Sequence, residues 1–77
     1  MINEHDCIVL TVNLPGDGLE SGDVGTVVHI HGDHTAYEVE FVTLTGQTVA
    51  VATVLASQLR PVGREDLSHV RRVPATN

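Results

Sequence analysis

The densest group of potentially reactive side chains in this 77-residue sequence is His29-Ile30-His31-Gly32-Asp33-His34. On an extended chain, residues two apart project to the same side with their Cα atoms about 6–7 Å apart. His29 and His31 therefore face one way if they lie on a strand, and a turn at Gly32 can swing His34 or Asp33 toward them. Three imidazoles with a carboxylate nearby form a ligand set suited to Zn²⁺, Ni²⁺ or Cu²⁺. An exposed, polar hairpin tip accounts for the same residues with no metal at all. Zinc held by His29, His31 and His34 stands as the alternative expectation.

The carboxylates are the second set. Asp17, Glu20 and Asp23 fall in the glycine-rich stretch NLPGDGLESGDVG, and Glu38 and Glu40 alternate with Tyr37, Val39 and Phe41 in AYEVEFV. Acid–base catalysis would require a pocket that perturbs one of a carboxylate pair. Alternation with apolar residues points instead to a solvated strand face. The spacing of Asp17 to Asp23 lacks the pattern of a calcium loop and its distal glutamate. Ser21, Ser57 and Ser68 have no nucleophile-elbow context, and no phosphate-binding glycine motif is present. A chain of this length also leaves little room for a water-excluding pocket. No enzymatic activity is expected, and Glu20, Asp23, Glu38 and Glu40 become the candidate partner-binding surface.

Charge supports that choice. Ten acidic residues oppose four basic ones, all arginines, for a formal charge of −6. Nucleic-acid binding needs a basic stripe and is not expected, although Arg60, Arg64, Arg71 and Arg72 gather toward the C-terminus. A basic protein surface is the partner that this charge suits. No apolar run approaches the roughly 20 residues that span a bilayer, and no segment reads as a signal peptide. Cys7 alone can make no internal disulfide, which in a small domain points to the cytoplasm. Its place at the head of CIVLTVNL reads as a packing residue.

These residues must be positioned by strands, because apolar side chains recur at every second position. Ile8, Leu10, Val12 and Leu14 share a face in CIVLTVNL. In DVGTVVHIH, Val24, Thr26, Val28 and Ile30 share one face, and Val27, His29 and His31 the other. Tyr37, Val39 and Phe41 oppose Ala36, Glu38 and Glu40, while either face of QTVAVATVL could be the inner one. Hairpin turns are expected at His31–His34, with Gly32 supplying a positive φ, and at Thr43–Gly46. A 3₁₀ turn over Leu55–Gln58 leads to a short final strand, Leu59–Val62. The order is strand, long loop, three strands joined by tight turns, one-turn connector, short strand. That is the order of an all-β, five-stranded SH3-like barrel, closed so as to leave no open edges. The barrel should occupy residues 1–62. Residues 63–77 form a tail, flexible or carrying one or two helical turns, with Leu67, Val70 and Val73 recurring at threes.

The strings GDVGTVVHIH, AYEVEF and TVAVATVLASQLRPV together resemble a family of short bacterial and cyanobacterial proteins, the domain of unknown function 4926, over residues 2 to about 62. The resemblance implies an SH3-like barrel and no assigned chemistry. Genes of that kind tend to lie beside toxin-like genes, which makes an antitoxin or immunity-like role the concrete form of the expectation. The sequence thus describes a non-catalytic module that binds a basic protein.

Overall fold

The computed structural model describes residues 1–74. They form five strands: β1 (Cys7–Leu10), β2 (Val24–His31), β3 (Ala36–Val42), β4 (Thr48–Leu55) and β5 (Leu59–Pro61). Short 3₁₀ turns occupy Pro15–Asp17 and Ala56–Gln58. The strands pair antiparallel in one sheet of order β4-β3-β2-β1-β5. Among the described residues there is no α-helix, and no helix long and apolar enough to cross a membrane.

The core is built from one side of this sheet. Ile8 and Leu10 of β1, Val27 of β2, Tyr37, Val39 and Phe41 of β3, Ala52 and Val54 of β4 and Leu59 of β5 are buried together, capped by Leu19 from the long loop. The ambiguity in β4 is resolved by size. Register places Val54 opposite Tyr37, Ala52 opposite Val39 and Ala50 opposite Phe41. Alanines facing the bulky pair members fill the layer at native density, whereas the valine face turned inward would overfill it.

The two hairpins form where the glycines permit them. Gly32 (φ 49°) and, beside it, His34 (φ 65°) adopt left-handed backbone in the β2–β3 turn. Gly46 (φ 92°) does so in the β3–β4 turn, where Thr43 Oγ1 also accepts from the Gln47 amide at 3.0 Å. The connector forms as a 3₁₀ turn, and the Leu55 amide at its N-cap donates to Gln58 Oε1 at 2.9 Å.

The sheet has β4 and β5 at its edges, and no ladder joins these two among the described residues. β5 has only three residues, one of them Pro61 with no amide hydrogen. Three expectations are corrected. In β2, Val27 and Ile30 turn inward, whereas Val24, Thr26, His29 and His31 turn outward. The cause is a bulge: Val27 pairs with Val39 and His29 with Glu38, so Val28 is an extra residue that shifts the alternation by one. Cys7, at the strand's first position opposite Thr26, is exposed and not a packing residue. Finally, β1 ends at Leu10, where the Thr11 amide bonds the Gln58 carbonyl at 2.9 Å, leaving Val12 and Leu14 half-buried in the loop.

Residues 63–74 form no helix. They leave β5 through a turn in which the Gly63 amide donates to Asp66 Oδ2 at 2.6 Å, and Leu67 and Val70 remain 94% and 68% exposed. The part of the expected tail beyond residue 74 lies outside the described residues.

Candidate functional site

The outer face of β2–β3–β4 carries Glu38 and Glu40. Because β3 is the strand between β2 and β4, each glutamate has a neighbour on both sides. Glu38 lies opposite His29 on β2 and Thr53 on β4, and Glu40 opposite Thr26 and Val51. Glu38 Oε2 accepts from Thr53 Oγ1 at 2.7 Å and lies 2.6 Å from His31 Nε2; a carboxylate only accepts, so that nitrogen bears the hydrogen. The Thr53 hydroxyl and then His31 hold the Glu38 carboxyl below its ordinary range. Glu40 Oε2 accepts from Thr48 Oγ1 at 2.8 Å. Both carboxylates are thus fixed in orientation while staying on the surface. Around them Val42, Val51 and Leu55 are exposed by about half.

Glu20 and Asp23 belong to a separate cluster in the long β1–β2 loop. Asp23 caps its own turn, accepting the Glu20 amide on Oδ2 at 2.8 Å. Across 48 residues of sequence, Arg71 Nε donates to Asp23 Oδ1 at 2.9 Å and Arg71 Nη2 to Oδ2 at 2.6 Å. Nη2 also donates to the Gly18 carbonyl at 3.1 Å, and Nη1 lies 3.6 Å from Glu20 Oε2. This fork-on-fork pairing draws the Asp23 carboxyl below its usual range and raises the guanidinium further. Asp23 is consequently an engaged carboxylate. Arg60 and Asp66 form a second bidentate pair at 2.8 Å each, which holds Asp66 far below the carboxylate range.

The histidines do not assemble as a ligand set. His29 and His31 stand edge to face with ring centroids 4.9 Å apart, but His34 turns instead toward Tyr37, at 6.2 Å. Among the described residues no group of three or more His, Cys, Asp or Glu side chains is placed to hold a metal ion.

Sequence reasoning located the carboxylates but missed what each one touches. Thr48 and Thr53 could be found only through the β3–β4 register. Arg71 could have been suspected from an Arg-Arg pair following an acidic domain, but not its partner.

These features define an all-β chain built on one antiparallel sheet, with an acidic outer face and an arginine-filled loop. The chain belongs to the family described as Domain of unknown function (DUF4926), whose model matches residues 4–61. The match ends with β5, so the Arg71 tail lies beyond it. No curated protein and no solved structure matches the chain.

Proposed function

We propose that this chain is a non-catalytic, SH3-like β-barrel module that binds another protein through a basic surface of that partner, with antitoxin- or immunity-like neutralisation as the most concrete form. The strand order, the long β1–β2 loop, the two tight hairpins and the 3₁₀ turn before a short last strand support the barrel reading. The observation that carries the binding role is the row of Glu38 and Glu40. Two oriented carboxylates sit on an open sheet face beside exposed Val42, Val51 and Leu55. Apolar patches with a charged element in them are typical of surfaces that another protein covers. The Thr48 and Thr53 bonds reduce the ordering needed on association, and the uncompensated charge accelerates encounter with a cationic surface.

The test is affinity capture from cell lysate with the wild-type chain and a Glu38→Lys/Glu40→Lys double variant as baits. A basic protein retained by the wild type, lost by the variant and released by added salt is the expected result. Identical capture by both baits, or capture insensitive to salt, would overturn the proposal.

A further inference from the structure

Arg71 occupies the long loop in the way a ligand occupies a receptor. Its guanidinium makes two hydrogen bonds to Asp23 and one to the Gly18 carbonyl, with Glu20 adding charge at 3.6 Å. The loop side of this contact is organised independently of Arg71: the Glu20 amide fixes Asp23, and the Ser21 amide donates to Asn13 Oδ1 at 2.8 Å. The tail that delivers the arginine is by contrast loosely held. Leu67 and Val70 are largely in solvent, and the only other side-chain tie between residues 63–74 and the sheet, among the described residues, is Asp66 to Arg60. Beyond Arg71 the tail borders a shallow cleft of about 290 Å³ between the loop (Asp17, Gly18) and the β3–β4 hairpin (Thr43, Thr48), with Val73 and Pro74 along one side. A segment seated by its arginine thus has an adjoining surface for the residues that follow.

We infer that the Gly18–Asp23 loop is a docking site for an extended, arginine-bearing segment of the basic partner, and that the chain's own tail fills it as an intramolecular competitor. The inference deepens the proposed binding role by assigning the partner an arginine and a second point of attachment, separate from the Glu38–Glu40 face. A planar guanidinium matches the fork of Asp23 with the Gly18 carbonyl, whereas a lysine ammonium can satisfy only part of it. A tethered competitor faces its site at high effective concentration, so a free segment binds weakly until the tail is displaced or its arginine removed.

The experiment titrates a synthetic peptide of residues 68–74 (SHVRRVP) into isotope-labelled full-length chains, followed by amide chemical shifts. Arg71→Ala should bind the peptide saturably, with shifts at Gly18, Glu20 and Asp23, and at least about tenfold more tightly than wild type. Peptide carrying lysine at the position of Arg71 should bind more weakly, and adding Asp23→Asn to the Arg71→Ala chain should abolish binding. Arg71→Gln, which retains the stem, replaces Arg71→Ala if the latter does not give a folded spectrum. No saturable binding to either variant, equal binding by wild type, or equal binding of the lysine peptide would overturn the inference. The Glu38→Lys/Glu40→Lys chain with Arg71→Ala should bind the peptide as the single variant does. Failure at the loop therefore stays distinct from failure of the sheet-face role.

Discussion

Gly25 shows how much a single missing atom can matter. It lies buried in β2 opposite Ile8, and a Cβ built there would come within 2.5 Å of Val39 Cγ1 and within 2.8 and 2.9 Å of the Phe41 ring. Both neighbours are core side chains with nowhere to retreat, since Val39 is fully buried and Phe41 nearly so. Gly25→Ala is expected to destabilise by about 1–3 kcal/mol, the range for overpacking a filled core. At about 4–8 °C per kcal/mol for a chain of this size, a thermal melt resolves it. From the sequence alone this glycine reads as a turn-former easing the chain into the strand. Its actual role depends on which two β3 side chains cross it, and that is settled by register. The opposite case is Tyr37, Val39 and Phe41, whose inward orientation follows directly from strict alternation with Ala36, Glu38 and Glu40.

At the level of elements, the hairpins were legible and the bulge was not. A turn announces itself through local chemistry: Gly32 and Gly46 supply backbone that most residues resist. The bulge at Val28 has no such mark, because a run of Val-Val-His can continue the alternation or slip by one with little difference in local preference. Pairing with β3 decides it, by bringing Glu38 level with His29. For the same reason the carboxylates could be identified while their hydroxyl and imidazole neighbours could not. The tail is the element that departs furthest from its local pattern. Spacing at threes suggests a helical turn over Leu67–Val73, but so few residues cannot hold a helix without an apolar surface to lie on. Two ion pairs tether the segment at Asp66 and Arg71 and leave the residues between them exposed. Arg71→Ala removes the more sheltered of them, whose arginine side chain is 25% exposed. The expected loss is about 1 kcal/mol, at the upper end for surface pairs, because the contact is bidentate and partly shielded. Urea unfolding should show a lowered midpoint with an unchanged slope. Arg71→Lys should recover less than half of the loss.

For the molecule as a whole, pH acts through carboxylates that are all shifted in one direction. Asp23 is lowered by Arg71, Glu38 by Thr53 and His31, and Asp66 by Arg60. A group whose folded value is depressed contributes stability above its unfolded value, about 4, and loses it as pH falls through the folded value. The chain should therefore hold a level urea midpoint from pH 7 to about pH 5 as far as these groups are concerned, then decline progressively below pH 4. Asp23→Asn should flatten part of that decline, and a decline of unaltered steepness in the variant would exclude the Arg71 tie as a contributor.

One edge of the sheet is blunted and the other is bare. β5 is short and carries Arg60 and Pro61, whereas β4 reads TVAVATVL over eight residues with no charge, proline or glycine to deter a neighbour. Such a border would ordinarily recruit further strands from identical molecules. A net charge of −6 opposes that association through repulsion between copies, and the proposed binding to a cationic partner would draw on the same acidity. Acidification to the isoelectric point near 5 removes the net charge while the lowered carboxylates of the ion pairs are still ionised, so turbidity should appear ahead of unfolding.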